Sequence, residues 1–147
     1  MSSNQLSLFD NEGYPILDEL YQLFPDNESI DLEYKSAAGG FPDSFWSTYS
    51  AFSNTQGGVV VMGVREKYGA FQVEGLSLER IQSYKKVFWD TVNNQNKVNR
   101  NLLKDTDVRE ISLKGKLVLA FNIPGAKREQ KPIYLTRNPF GNTVSTL

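Results

Sequence analysis

The sequence predicts a single α/β (α+β) domain, a mixed β-sheet with helices packed on it. Two observations carry that prediction. Apolar residues switch between helical spacing and strand-type runs in the order αβαβ(β)αβββ along the chain. The 147 residues, 39% hydrophobic and 22% charged, are enough for one core and too few for two comfortable ones.

Residues 1–12 form a loose polar lead-in, and the domain proper runs over 13–147. From Tyr14 to Phe24 the residues Ile16, Leu17, Leu20, Tyr21, Leu23 and Phe24 share one side at helical spacing, and Pro25 stops the run. Ile30–Lys35 alternates apolar Ile30, Leu32 and Tyr34 with charged Asp31, Glu33 and Lys35, a strand with one wet face. After Gly39-Gly40, Asp43 or Ser44 can cap a helix carrying Phe45, Trp46, Tyr49 and Phe52, which Gly57-Gly58 stops. Those aromatics read as core. Val59–Met62 is a short continuous apolar run, the signature of a strand buried on both faces. A turn at Glu66–Gly69 leads to a short strand near Phe71–Val73. Ser77 opens a helix bearing Leu78, Ile81, Tyr84, Val87, Phe88 and Val92, and Asn93–Asn101 is an Asn-rich loop. Val108–Leu113, Lys114-Gly115-Lys116 and Leu117–Ile123 read as a β-hairpin. Pro124–Pro132 is a basic loop before a last strand at Ile133–Leu135.

Composition removes several chemistries. With no Cys there is no disulfide framework and no thiolate zinc site. With no His there is no Ser-His-Asp triad and no imidazole base or ligand. Catalysis would rest on carboxylates, Lys, Tyr, Ser or Thr, and a metal would take oxygen ligands. No apolar run reaches the ~20 residues of a membrane span, and the N-terminus lacks the basic start and apolar stretch of a signal peptide, so a cytoplasmic protein without membrane partners is expected.

The net charge of -1 hides an asymmetry. Residues 1–34 hold eight acids and no Lys or Arg, while residues 35–147 hold sixteen basic residues against nine acids, a net of +7. A basic face of that kind suits polyanions, whereas the plainer reading is an evenly solvated surface. Lys127, Arg128, Lys131 and Arg137 form the densest basic group, with Tyr134 and Phe140 interleaved, which suits phosphate contacts beside base stacking. Lys35, Arg65, Lys67, Lys85, Lys86, Lys97 and Arg100 are further candidates on charge alone.

Three stretches then fall in one order: Glu28-Ser29 with Leu32-Glu33-Tyr34-Lys35; Ala51-Phe52-Ser53-Asn54-Thr55-Gln56-Gly57-Gly58 running into Val61-Met62-Gly63-Val64; and Glu74-Gly75-Leu76. Ile123-Pro124, Lys131-Pro132-Ile133-Tyr134 and Asn138–Thr143 follow. Over roughly residues 24–145 this resembles the Schlafen/AlbA-type ("divergent AAA") domain found at the front of bacterial transcriptional regulators. The resemblance implies DNA or RNA binding in transcription regulation, and a chain that is the N-terminal part of a longer protein, truncated within its last strand. An unpaired edge there would favour a homodimer. No helix-turn-helix is recognisable, so binding led by the phosphate backbone with weak sequence preference is expected.

Within that resemblance Asn54 and Thr55, with neighbouring backbone N–H groups, are candidates to hold a phosphate. The plainer reading of 54–58 is a helix stop entering a buried strand. No G-x-x-x-x-G-K-[ST] is present and Val59 follows the Gly pair, so ATP binding is not expected and no cofactor is called for. Lys35, Arg65 and Lys67 join the nucleic-acid-binding candidates. The rival class is a metal-dependent ribonuclease, as some Schlafen proteins are. Their three carboxylates match Glu28, Glu33 and Glu66 here, holding Mg²⁺ or Mn²⁺, with Lys35 neutralising a phosphate. Glu66 stands where the family often has Asp. A same-face surface pair of Glu33 and Lys35 is the plainer alternative. A third reading is a docking or dimerisation domain that touches no nucleic acid.

Overall fold

The computed structural model describes Phe24 and residues 31–135. Among them are six strands and two α-helices: β1 (Leu32–Lys35), α1 (Phe45–Ser53), β2 (Gly57–Met62), β3 (Val64–Lys67), β4 (Ala70–Val73), α2 (Leu78–Val92), β5 (Val108–Leu113) and β6 (Lys116–Pro124). The expected helix at Tyr14–Phe24 lies outside the described residues apart from Phe24, as do the lead-in and everything after Leu135.

The main sheet runs β1-β2-β6-β5, with β1 parallel to β2 and the other neighbours antiparallel. This is the expected mixed sheet. All of β2 is buried, as its unbroken Val59–Met62 run requires. Alternation along the strands then divides the core. Val60, Met62, Leu119, Phe121 and Ile123 face the helices, where they meet Phe45, Trp46, Tyr49, Ile81, Tyr84 and Phe88. Val59, Val61, Val118, Ala120, Ile111 and Leu113 face the other way, toward Phe24, Val64 and Val73. Trp46 stacks on Phe88 with centroids 5.7 Å apart and planes 6° from parallel, and Phe45 meets Phe121 edge-on at 4.8 Å. Phe45, Trp46 and Tyr49 of α1 are core, as their spacing predicts, and Phe52 is half-buried against it.

Ser77 caps α2 by accepting a hydrogen bond from the Arg80 N–H at 3.2 Å. Ser44 precedes α1 without capping it, because its Oγ accepts from Lys35 instead. The two hairpin turns are alike: Tyr68-Gly69 joins β3 to β4 with φ of 53° and 78°, and Lys114-Gly115 joins β5 to β6 with φ of 54° and 77°. Both central residues being left-handed is the type I′ arrangement that suits the twist of tight hairpins.

Three expectations need correction. The helix stops at Ser53, with Asn54 as its C-cap, and Gly57 and Gly58 begin β2. Gly57 is needed there because φ is +89° and a Cβ would lie 2.5 Å from the Ile123 carbonyl oxygen. Glu66 and Lys67, expected within a turn at Glu66–Gly69, belong to the strand Val64–Lys67 paired with β4, and the turn narrows to Tyr68-Gly69. The expected last strand at Ile133–Leu135 reduces to a single bridge between Leu135 and Val98. Pro132 has no N–H, and the N–H and C=O of Ile133 are both bound to the Asn54 side chain, so neither remains for a ladder.

Candidate nucleic-acid interface

At the end of β1, Glu33 and Lys35 share the face that meets α1. The Lys35 ammonium donates to Ser44 Oγ at 2.8 Å and lies 3.5 Å from Glu33 Oε2. The Thr48 hydroxyl donates to the same carboxylate oxygen at 2.7 Å. Lys35 keeps only 9% of its side chain exposed while Glu33 keeps 45%. The cluster is a tight same-face pair tied to the first turns of α1, with the carboxylate open to solvent on one side.

The β3–β4 hairpin carries Arg65, Glu66 and Lys67. Arg65 Nε lies 3.5 Å from Glu74 Oε2 and its Nη2 donates to Gln72 Oε1 at 3.0 Å. Ser36 Oγ donates to the other Glu74 oxygen at 2.7 Å, which links the hairpin base to the end of β1. Glu66 stands opposite Phe71 in the register, and the Phe71 ring packs on Tyr34 at 4.6 Å. Tyr34 alternates with Glu33, so this packing sits on the side of β1 away from the Glu33–Lys35 pair. Glu28 and Arg137 lie outside the described residues. Among the described residues no group of three carboxylates gathers in a way that could hold a metal ion.

Asn54 is engaged within the fold. Its Oδ1 accepts the Ile133 N–H at 2.7 Å, and its Nδ2 donates to Ile133 C=O at 2.7 Å and to Ser50 C=O at 2.8 Å. The Thr55 hydroxyl donates back to Ala51 C=O at 3.0 Å. The N–H groups of Asn54 and Thr55 are bound to Ser50 and Phe52 carbonyls, and that of Val59 to Asp31. Of the phosphate cradle considered at 54–58, the Asn54 and Thr55 side chains and N–H groups are turned inward, as the plainer helix-stop reading has it.

That same clamp joins two basic segments. Asn54 holds Ile133, and Asn99 holds the residues on either side: its Nδ2 donates to Pro132 C=O at 3.0 Å and its Oδ1 accepts the Tyr134 N–H at 2.9 Å. The Asn99 N–H donates to Tyr134 C=O at 3.2 Å, next to the Val98–Leu135 bridge. Segment 131–135 is thereby laid antiparallel along 98–101. Asn99 thus joins the segment that carries Lys97 and Arg100 to the one that carries Lys131, and a 3₁₀ turn over Arg128–Gln130 lies between Lys127 and Lys131. Lys127, Arg128, Lys131 and Arg100 are exposed and Lys97 half-buried. Unlike Lys35, Arg65, Lys85 and Lys86, these five make no salt bridge within the described residues. Tyr134 is half-buried beside them.

Tyr49 supports the rear of this surface. Its hydroxyl donates to Arg100 C=O at 3.0 Å and accepts the Leu102 N–H at 3.1 Å. Burial pushes the phenol up to about 12, and the Leu102 N–H pulls the other way. The sequence marked the charges of this surface but not Asn99 as the joint between its halves. The only local signal for Asn99 is the surrounding run of Asn residues.

Comparison with known proteins agrees with this architecture. The family model described as Schlafen, AlbA_2 matches residues 28–143. The chain belongs to the Schlafen/AlbA_2 family. Among solved structures, it is similar to the solution NMR structure of the N-terminal domain of a protein related to the ATP-dependent DNA helicase RecG from Nitrosomonas europaea. The TM-score is 0.60 at 23% identity, covering 99% of this chain and 86% of that one. That likeness shows the fold. A second structure, the DIP2311 protein from Corynebacterium diphtheriae, aligns at a TM-score of 0.43 and 19% identity over 72% of this chain and 22% of that one. No curated protein matches the chain. No helix among the described residues is long and apolar enough to cross a membrane.

Proposed function

We propose that this domain binds DNA or RNA through the phosphate backbone, as the binding module of a transcriptional regulator, with weak sequence preference. One observation carries the reading: Arg100, Lys127, Arg128 and Lys131 are exposed and Lys97 half-buried on two segments that Asn99 ties together, and none of the five makes a salt bridge within the described residues. Cations already paired must give up a partner to meet a phosphate, whereas these five need only shed water. Loop cations at the edge of a rigid frame contact phosphates without reading bases, which is why specificity is expected to be low. The fold neighbour from Nitrosomonas europaea bears a DNA-helicase-related name, which agrees with this reading without carrying it.

Binding is preferred to metal-dependent RNA cleavage because one Glu33 oxygen already accepts from Thr48 and has the Lys35 ammonium 3.5 Å away. The test is a salt titration of fluorescence anisotropy on duplex and single-stranded oligonucleotides. Five phosphate contacts give a log–log slope of about -4 to -5 on duplex DNA, or roughly a 10²–10³-fold loss of affinity between ~50 and ~200 mM salt. The triple variant Lys127→Ala/Arg128→Ala/Lys131→Ala is expected to reduce that slope by about 3. No binding at ~50 mM salt, or binding indifferent to salt, refutes the proposal. Equal retention on an unrelated competitor DNA is the expected sign of weak specificity.

A further inference from the structure

The β3–β4 hairpin ends in a residue whose placement the fold does not explain. Tyr68 is 96% exposed, while the large aromatics Phe45, Trp46, Tyr49, Phe88 and Phe121 are fully buried. Leu78, at 61%, is the other strongly exposed large apolar side chain among the described residues. The tyrosine also occupies a left-handed position, φ 53°, which favours Asn, Asp or Gly. The matching turn at Lys114-Gly115 has nearly the same φ values and carries a lysine. The turn geometry therefore does not call for an aromatic.

The arm that presents Tyr68 is firmly rooted. The Gly63 N–H donates to Lys35 C=O at 2.9 Å, and Gly63 C=O accepts from Glu74 and Gly75 at 2.8 and 3.0 Å. Val64 and Val73 are buried, and Phe71 packs on Tyr34. A rigid arm loses little conformational freedom when its tip makes a contact. At the tip the Lys67 ammonium sits over the Tyr68 ring, 5.5 Å from its centroid. The ring and the cation are thus adjacent on an exposed point, and Arg65 lies on the same strand with 45% of its side chain exposed.

We propose that Tyr68 stacks on an unpaired nucleobase while Lys67 meets the adjoining phosphate, so that this domain favours single-stranded or locally unpaired nucleic acid over duplex. The proposal rests on the nucleic-acid-binding reading above and names the substrate class for it. A protruding ring reaches a base face only where no neighbouring base covers it. In a duplex both faces are covered, and opening one step costs a few kcal/mol. Stacking tolerates any base, which is consistent with weak sequence preference.

The experiment measures anisotropy on a ~20-nucleotide single strand, its duplex, and the same strand carrying a run of abasic sites, a length that exceeds typical single-strand site sizes. The proteins are the unmodified chain, Tyr68→Asn, Tyr68→Phe and Tyr68→Trp. Asn suits a left-handed turn position, so Tyr68→Asn removes the ring and keeps the hairpin; an unchanged melting temperature verifies this. Tyr68→Asn is expected to weaken single-strand binding about 5- to 100-fold, the range of a lost base–aromatic stack, with Phe and Trp retaining it. Duplex and abasic binding should change far less, and the salt slope should not move because no cation is lost. Single-strand affinity unchanged by Tyr68→Asn, or an equal loss on all three nucleic acids, overturns the proposal. If the lysine–arginine triple variant still lowers affinity in that case, the phosphate-binding reading survives alone. If the unmodified chain binds none of the three, both readings fall together.

Discussion

Replacing Asn54 separates a structural clamp from a ligand contact. In Asn54→Ala the Ile133 N–H loses its acceptor at 2.7 Å, while the Ile133 C=O keeps the Ser50 hydroxyl at 2.7 Å. A buried donor left without a partner costs about 1–3 kcal/mol, and the two lost amide-to-carbonyl bonds about 0.5–1.5 each. The sum is roughly 2–6 kcal/mol, which for a domain of this length lowers the melting temperature by about 4–24 °C. Asn54→Asp keeps an acceptor for the N–H but sets a carboxylate against the carbonyls of Ile133 and Ser50, so it should rescue little at neutral pH. Urea unfolding of the three proteins, followed by tryptophan fluorescence, measures the losses. Nucleic-acid affinity of the folded Asn54→Ala protein should fall only a few-fold, through loosening of the segment that carries Lys131. An unfolding midpoint within ~0.5 kcal/mol of the unmodified protein, together with a tenfold or larger loss of affinity, would show that Asn54 meets the ligand and that the clamp argument is wrong.

Two further outcomes follow from close contacts and burial. Gly57→Ala must place a methyl group 2.5 Å from the Ile123 carbonyl oxygen and 2.8 Å from the Gly125 nitrogen at φ +89°, so a loss of about 2–4 kcal/mol is expected in the same unfolding assay; a neutral result would mean the β2–β6 end yields freely. Tyr49, whose phenol is pushed up to about 12, keeps its proton in the folded chain while the unfolded chain releases it near pH ~10. Its contribution is therefore complete below pH ~10 and declines by roughly 2–3 kcal/mol as pH rises toward 12. Tyr49→Phe, although destabilised by loss of the Arg100 and Leu102 hydrogen bonds, should lack that alkaline decline, and parallel pH curves for the two proteins would contradict the assignment.

What could be read from the sequence was what neighbouring residues decide among themselves. The Val59–Met62 run, the Ser77 cap and the Lys114-Gly115 turn are local signals, and β2, α2 and the β5–β6 hairpin lie where those signals put them. Val64–Lys67 was missed as a strand because Arg65, Glu66 and Lys67 are all exposed and show no alternation. The last strand was over-read because its fate depends on Asn54, 79 residues away in the chain. The same division holds for the interface. Basic residues are visible in the sequence, but pairing is not. Nothing near Arg65 in the chain announces that Glu74 will fold back 3.5 Å from it across the hairpin. Tyr68 falls within the turn expected at Glu66–Gly69, where the sequence pattern singles out no residue, and only its exposure marks it out.

Pairing also decides which cations the salt slope can count. To reach a phosphate, Lys35 would have to leave Ser44 and Glu33 and emerge from a site where 9% of its side chain is exposed. The carboxylate would then stay behind with Thr48 and repel the incoming phosphate. Arg65 faces a milder form of the same cost, since Glu74 is also held by Ser36 and remains in place when the guanidinium turns away. Within the described residues Lys127, Arg128, Lys131, Lys97 and Arg100 leave no such charge behind. Electrostatic binding should therefore centre on the 97–100 and 127–131 segments, with Lys35 acting on the frame that holds α1 against β1. Under the two proposals the contacts have separate roles: charge on the 97–100 and 127–131 segments would set affinity, and the ring at Tyr68 would set the preference for unpaired nucleotides.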